Sequence, residues 1–91
     1  MAYTSRDIDD LSWVKRGKQR RELIEHIRDD VMTPSELAKK SHYSLNHASK
    51  VLNDLAKKGL AECLNKKEKT GRLYRLTAQG KKIRDKLIKM K

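Results

Sequence analysis

The feature that most constrains this chain is the run from Ser44 to Gly80, in which one amphipathic helix is followed directly by a basic β-hairpin. At the helical period, the apolar residues of its first part form a single stripe: Leu45, Ala48, Val51, Leu52 and Leu55. Ser44 is a preferred N-cap residue, and Gly59 can adopt the left-handed conformation that ends a helix. The pattern therefore predicts a helix over residues 45 to 58, with one side packed and the other facing outward.

The outward side of this helix carries amide and hydroxyl groups as well as lysines. A face that is only solvated tends toward Glu and Lys, whereas these groups can donate to or accept from DNA base edges and phosphates. We therefore predict a set of DNA contacts on the helix: Ser44, Asn46, His47, Ser49, Lys50, Asn53 and Lys57. Lys50 is the strongest candidate. For Lys57 and Lys58 an equal alternative is a solvated face that stabilises the helix C-terminus.

The segment before this helix predicts the first half of a helix-turn-helix. Thr33-Pro34-Ser35-Glu36 has the pattern of a capping box with proline at the first helical position, which predicts a short helix to about Lys40. Only residues 41 to 43 then remain before the next N-cap, as in the tight turn that joins the two helices of such a motif.

The segment after the helix predicts a β-hairpin with a basic loop. Residues 60 to 64 and 72 to 76 are short strand candidates, and the loop at residues 65 to 71 is polar and ends in glycine. Each face of the second strand mixes apolar and basic side chains, so the pattern leaves open which face is buried. We predict that the hairpin cations contact DNA phosphates, with solubility as the alternative: Lys66, Lys67, Lys69 and Arg72.

The N-terminal part of the chain predicts one long helix after an irregular start. Residues 1 to 11 are acidic and polar and are predicted to be frayed, which leaves residues 12 to 91 as the folded domain. A first helix is predicted over residues 12 to 29, with Arg20 along the edge of the core and its head in water. A kink near Gly17 is the alternative.

Two further elements complete the prediction. Val31 and Met32 are candidates for a very short third strand beside the hairpin. A last helix is predicted after the cap residue Thr77, with the apolar residues of one face at Ile83, Leu87 and Met90, and with Ile88 to the side.

In their order and spacing these segments resemble the small winged-helix transcriptional regulators of the MarR and ArsR type, especially short archaeal forms. The resemblance covers residues 12 to 90 and depends on Thr33-Pro34-Ser35-Glu36-Leu37-Ala38, Ser49-Lys50-Val51-Leu52, Leu55, Lys58-Gly59-Leu60 and Tyr74-Arg75-Leu76-Thr77-Ala78-Gln79-Gly80. It implies an α+β, mostly α, winged helix-turn-helix with a three-helix core, a β-hairpin wing and a C-terminal helix. It also implies a recognition helix at about residues 45 to 58 in the major groove, a wing at about 65 to 71 on the backbone and, often, a homodimer.

The chain also departs from both types. The long flanking helices with which MarR-like proteins dimerise and hold ligand have no counterpart here, and neither do the clustered cysteines of ArsR-like metal sensors. No small-molecule effector is therefore evident from the sequence.

Composition favours an anionic partner over catalysis. The 91 residues suit one domain with a small core, and the formal net charge of +11 with a pI near 10.0 favours nucleic acid. The sequence has no glycine-rich phosphate loop, no HExxH motif and no paired cysteines, so we predict no enzyme activity, cofactor or metal site. Cys63 is the single cysteine, which favours a reducing, cytoplasmic compartment.

Other functions compete with a cytoplasmic regulator that binds double-stranded DNA. The main alternative is an RNA-binding or ribonucleoprotein component, although a stacking platform is not evident from the scattered aromatic residues Tyr3, Trp13, Tyr43 and Tyr74. A protein-interaction module would need an exposed apolar patch, and a membrane-surface helix would need a longer stripe. The last helix either covers the core or forms a homodimer together with the first helix, which would set the spacing of two half-sites.

Overall fold

The computed structural model describes residues 4 to 89. Seven elements follow one another in this range: α1 (Ser5–Arg16), α2 (Lys18–Ile27), α3 (Pro34–Ser41), α4 (Leu45–Lys57), β1 (Ala61–Cys63), β2 (Tyr74–Leu76) and α5 (Ala78–Lys89). Tyr3 and Met90, which were part of the predictions, lie outside the described residues, as do residues 1 to 3 of the segment expected to be frayed.

The predicted first helix over residues 12 to 29 is wrong in its start and in its continuity. Helix α1 begins at Ser5 because Thr4 and Asp7 form a capping box, in which each side chain accepts a hydrogen bond from the other's backbone amide at 3.0 to 3.1 Å. Gly17 has an extended backbone (φ −108°, ψ 110°), so the chain breaks there and α2 begins as a separate helix. The kink near Gly17, kept as the alternative, is therefore a full break.

The Arg20 side chain packs against Gly17 at this break. A Cβ atom at Gly17 would lie 2.7 Å from Arg20 Cδ, so a larger residue there would displace the arginine side chain. The Arg20 guanidinium lies 4.0 Å from the centroid of the Trp13 ring, and its Nη1 donates to the Trp13 carbonyl at 2.8 Å. Arg20 is at the edge of the core, as predicted, but its charged head contacts Trp13 rather than water alone.

The prediction that residues 1 to 11 are frayed is wrong for residues 5 to 11, which are helical and belong to α1. Two buried carboxylates attach it to α5. Asp7 accepts from Lys82 Nζ and from Gln79 Nε2, both at 2.8 Å, and Asp10 accepts from Gln79 at 3.2 Å. The hydrogen bond from Lys82, followed by those from Gln79 and the Thr4 amide, holds the pKa of Asp7 well below its usual value.

The helix-turn-helix, α3 and α4, forms as the sequence predicts. Thr33 accepts from the Glu36 amide at 3.1 Å, and the Glu36 carboxylate accepts from the Thr33 amide at 2.9 Å. Ser44 caps α4 by accepting from the His47 amide at 3.2 Å. Gly59 has a φ of +79°, so it supplies the left-handed residue after α4. The helix ends at Lys57, one residue before the predicted end at residue 58.

The hairpin has shorter strands than predicted, and the two strands pair antiparallel. Tyr74 and Leu76 are buried while Arg75 is exposed. The buried face of this strand, which the sequence pattern did not decide, is therefore the face that carries Tyr74 and Leu76. Met32 exchanges two backbone hydrogen bonds with Tyr74, at 2.9 and 2.8 Å, which makes a single-residue β-bridge where a very short third strand was predicted. Val31 is exposed and takes no part in the bridge.

The core lies between the helices and the base of the hairpin, and its fully buried side chains are Val14, Leu23, Ile24, Ile27, Leu37, Leu52, Leu55, Leu60, Leu76 and Ile83. The predicted core-facing residues Ile83 and Leu87 of α5 are buried, and Ile88 is exposed. The prediction that Leu45 belongs to the buried stripe is wrong, because its side chain is 54% exposed. Leu45 lies about 70° from the centre of the buried stripe and at the first residue of the helix, so neighbouring elements do not cover it.

Helix α5 packs closely on the base of the hairpin. Thr77 caps it as predicted, since its Oγ1 accepts from the Gly80 amide at 3.1 Å while donating to the Gly59 carbonyl at 2.7 Å. A Cβ atom at Gly80 would lie 1.9 Å from the Leu60 carbonyl oxygen. The close approach of α5 to this carbonyl therefore requires glycine.

Candidate nucleic-acid interface

Helix α4 exposes all the residues predicted to contact DNA, because its buried residues occupy the opposite side. The exposed set is Ser44, Asn46, His47, Ser49, Lys50, Asn53 and Lys57. The hairpin loop exposes Lys66, Lys67 and Lys69, and Arg72 is half-buried. These residues divide among separate parts of the surface.

One part is an open groove between α4 and the hairpin loop, which we call the wing groove. Asn46, Ser49 and Asn53 line it from α4, and Lys69 and Arg72 line it from the loop. This groove of about 460 Å³ is completed by the first turn of α3 and by Leu45, Thr70, Gly71 and Tyr74. None of the described side chains that line it is acidic, so its only formal charges are positive.

Lys50 does not line the wing groove, although it lies one helical turn from Asn46. It lines a shallow cleft together with Tyr43, Asp54 and the first residues of α2, including Lys18. The strongest lysine candidate is thus about a quarter of a turn around α4 from the wing-groove residues, beside a carboxylate. Lys57, Lys66 and Lys67 line neither depression.

Ser44 and His47 have a structural role at the start of α4. The Ser44 hydroxyl caps the helix and lies 3.0 Å from His47 Nδ1. The His47 ring meets the Tyr43 ring edge to face, with centroids 6.3 Å apart. Tyr43 in turn donates to Glu22 at 2.8 Å, and this hydrogen bond to the carboxylate raises the pKa of Tyr43. The contacts fix the first turn of α4 against α2.

Asn65, which the sequence pattern did not single out, holds the hairpin loop together. Its Oδ1 accepts from the Leu73 amide at 2.7 Å, and its Nδ2 donates to the Gly71 carbonyl at 3.2 Å. Cys63 Sγ lies 3.7 Å from the same Oδ1. An asparagine at the first residue of a predicted turn is the signal that could have indicated this role.

Arg72 also stabilises the loop, through hydrogen bonds to its backbone carbonyls. Its Nε donates to the Glu68 carbonyl at 2.7 Å, and one Nη donates to the Lys66 carbonyl at 3.4 Å. The guanidinium therefore shapes the loop that carries the lysines, and only its remaining N–H groups are available to a phosphate.

Most lysines of this surface are exposed and form no ion pair within residues 4 to 89: Lys50, Lys57, Lys66, Lys67 and Lys69. Elsewhere arginine and lysine pair with carboxylates, as Arg84 does with Asp29 and Asp85 at 2.8 Å. The hydrogen bond from Arg84 lowers the pKa of Asp29. Exposed cations without an ion pair also occur elsewhere, as at Lys15, Lys39 and Lys81, so it is their position beside the groups of α4 that distinguishes the lysines of this surface.

Among the described residues, no group of three or more His, Cys, Asp or Glu side chains is arranged to hold a metal ion. Cys63 is a half-buried free thiol. No helix in the described range is both long enough and apolar enough to cross a membrane.

Solved structures share this architecture. HlyU from Vibrio cholerae N16961 superposes with a TM-score of 0.75 at 21% identity, over 99% of this chain and 97% of that one. Mb0332 from Mycobacterium bovis, the homodimeric winged helix-turn-helix DNA-binding domain of a possible ArsR-family regulator, gives a TM-score of 0.69 at 18% identity, over 99% and 88%. The fold is a winged helix-turn-helix. It confirms the fold that the resemblance to MarR-type and ArsR-type regulators implied.

A larger regulator contains the same unit. The MarR family transcriptional regulator SPO1453 from Silicibacter pomeroyi DSS-3 gives a TM-score of 0.67 at 16% identity over 92% of this chain, which spans 60% of that protein's length. No protein-family model matches the sequence, and no curated protein is significantly similar to it. At identities this low, the structural likeness establishes the fold.

Proposed function

We propose that this protein binds double-stranded DNA sequence-specifically and regulates transcription. Helix α4 enters the major groove and the hairpin loop lies on the sugar–phosphate backbone. The observation that carries the proposal is the wing groove, in which amide and hydroxyl groups of α4 lie beside cations of the loop with no described acidic side chain between them. This combination suits a ligand with hydrogen-bonding edges flanked by phosphates.

The contacts divide by chemistry. Asn46 and Asn53 can each make a bidentate pair with adenine, which is the contact that selects one base over another. Lys66, Lys67 and Lys69 are point charges on flexible stems, suited to phosphates of any sequence. Because Lys50 lies outside the wing groove, we assign it to the backbone as well.

Duplex DNA is favoured over single-stranded RNA by the environment of the aromatic side chains. Trp13 is half-buried and covered by the Arg20 guanidinium, Tyr43 is half-buried and hydrogen-bonded to Glu22, and Tyr74 is buried. A protein that binds single strands stacks bases on exposed rings. Of the described rings, Tyr43 lies in the cleft with Lys50 and Tyr74 lines the wing groove, but neither is exposed enough to serve as a stacking platform.

A homodimer through α1 and α5 is part of the proposal. These helices contact each other through Gln79 and Asp7, and each exposes one isoleucine, Ile8 at 57% on α1 and Ile88 at 51% on α5. The homodimeric state of Mb0332 supports a similar arrangement. Two copies would present two α4 helices to half-sites about one turn of DNA apart. Sedimentation equilibrium of the wild type and of Ile8→Asp, which should shift the protein to monomer, tests this part.

The first test is fluorescence anisotropy of a labelled random-sequence duplex and of single-stranded RNA of equal length, at two salt concentrations. We expect salt-sensitive duplex binding that is weakened in Lys50→Ala and unchanged in the control Lys89→Ala, whose lysine lies on α5. Sites selected from the random pool should then be discriminated less well by Asn46→Ala or Asn53→Ala, by about 1 to 3 kcal/mol per lost bidentate contact.

Two results would contradict the proposal. Preference for RNA over the duplex would overturn the ligand. Unchanged base preference in both asparagine variants would overturn the assignment of the wing groove to the base edges.

A further inference from the structure

Leu45 stands out because it is a large apolar side chain that the fold leaves uncovered at the proposed DNA interface. It is the first residue of α4 and is 54% exposed, although its neighbours along the apolar stripe are buried. Burying a leucine side chain is favourable, so an exposed one leaves an apolar contact available to a ligand. Folding of the described chain does not use most of this side chain.

The position of Leu45 relates it to the predicted DNA contacts. Leu45, Ser49 and Asn53 are spaced four residues apart, so they follow one line along the helix surface, and all three line the wing groove. Asn46 is adjacent to Leu45 in the same groove. An aliphatic side chain thus begins a row of polar groups suited to base edges.

The contacts at the start of α4 fix this position. The Ser44 cap and the Thr33 capping box hold the first turns of α4 and α3, whose residues Thr33, Pro34 and Ser35 border Leu45 in the groove. The N-terminal end of a recognition helix is the part that reaches base edges in helix-turn-helix complexes. A leucine held at that end meets the floor of the major groove.

The C5 methyl group of thymine is the apolar group that the major groove presents to a protein. Resting on the DNA-binding function proposed above, we infer that Leu45 contacts a thymine methyl and makes the protein select thymine at one position of each half-site. The cations at the edge of the wing groove, Lys69 and Arg72, fit the phosphates on either side of such a base.

Replacing thymine by uracil tests this contact without altering the protein. Deoxyuridine keeps the hydrogen-bonding edge of thymine and lacks only the methyl group. A preferred site is selected from a random duplex pool, each thymine is replaced in turn, and the dissociation constant is measured by anisotropy. We expect one position per half-site at which uracil weakens wild-type binding about three- to fivefold, the value of one buried methyl group.

The variant Leu45→Ala completes a double-mutant cycle. It should bind the thymine and uracil duplexes of that position equally, with a thermal unfolding midpoint close to that of the wild type. Val31→Ala is the matched control, because Val31 is also largely exposed, at 44%, but lies outside the wing groove. This variant should keep the full discrimination against uracil.

The possible failures are distinguishable. If selection yields no preferred duplex, the proposed sequence-specific function is wrong. If a preferred duplex is found but uracil is tolerated at every thymine, the function stands and the role of Leu45 is overturned. A loss of affinity in Leu45→Ala that is the same for thymine and uracil also overturns it, because Leu45 would then act through the shape of α4.

Discussion

The two ends of this small protein use charged side chains in opposite ways. At the α1 and α5 end, Asp7 and Asp10 are buried and accept hydrogen bonds or ion pairs from Lys82, Gln79 and Lys58. On the α4 and loop surface, exposed lysines form no ion pair with any residue from 4 to 89. The net charge of +11 therefore does not by itself locate an interface.

This difference in ion pairing indicates which positive charges are available to a ligand. A lysine that is already paired gains little from a phosphate, because the phosphate must compete with its carboxylate. An unpaired lysine releases counterions on binding and makes affinity fall with salt. Substitutions at the α1 and α5 end should therefore change stability, and substitutions on the α4 and loop surface should change binding.

The largest expected effect is at Gly80, at the base of the scaffold. In Gly80→Ala the new methyl group would lie 1.9 Å from the Leu60 carbonyl oxygen, so α5 must move away from the hairpin. We expect a loss of more than about 3 kcal/mol in the free energy of unfolding, measured by urea denaturation. The matched change Gly71→Ala, in the loop, meets no atom within 4 Å and should cost only about 1 to 2 kcal/mol for its φ of +66°. Equal losses of stability in Gly80→Ala and Gly71→Ala would contradict the requirement for glycine at the contact between α5 and the hairpin.

Asn65→Ala should affect both stability and binding. The Leu73 amide and the Gly71 carbonyl lose their partner, which should cost about 1 to 2 kcal/mol of stability. The loop lysines then lose their fixed positions, so duplex affinity should fall while base preference is retained. Ser12→Ala, at an exposed residue of α1 outside the wing groove, is the control. If Asn65→Ala bound duplex as tightly as Ser12→Ala, loop shape would have no part in binding.

Asp7→Asn should change the acid stability of the scaffold. Because Lys82 and its other partners lower the pKa of Asp7 in the folded state, the folded protein binds fewer protons there than the unfolded chain. The resulting stability is present above the usual pKa of 3.8 and is lost as pH falls below it. Asp7→Asn should thus be less stable at pH 7 and lose less stability on acidification. Asp9→Asn, an exposed change on the same helix, should show the same dependence of stability on pH as the wild type. Identical acid-unfolding curves for all three proteins would refute the role of Asp7.

The smallest expected effect on stability is at Lys67, an exposed loop residue. Lys67→Ala should leave the unfolding transition unchanged and weaken binding to all duplex sequences alike. The slope of log affinity against log salt should become shallower by about 0.9, the value of one phosphate contact. Lys89→Ala removes the same charge from α5 and should leave the slope unchanged. Equal slopes for the two variants would show that the position of the charge does not matter.

Much of the fold and part of the interface were predictable from short sequence patterns. The caps at Thr33, Ser44 and Thr77, the bounds of α4 and the left-handed Gly59 all depend on residues within a few positions of one another. The exposure of the predicted α4 residues follows from the helical period in the same way. The Thr4 and Asp7 box at the start of α1 has the same local character and was missed because Asp replaces the usual Glu or Gln.

The other errors have non-local causes. Asp7 and Asp10 are buried because of Gln79, about seventy residues away, so the acidic N-terminal segment gave no sign of its helix. The break at Gly17 depends on how Arg20 meets Trp13, which the apolar stripe does not specify.

The sequence by itself determined α3, α4, the hairpin and α5, the caps of these three helices and the outward face of α4, because helix and strand periods and capping hydrogen bonds are set by neighbouring residues. The tertiary structure decided which outward residues share a surface: Asn46, Ser49 and Asn53 with the loop cations, and Lys50 apart from them. It also left Leu45 uncovered. These outcomes depend on where α2, α3 and the hairpin lie against α4, and packing between distant segments fixes that arrangement.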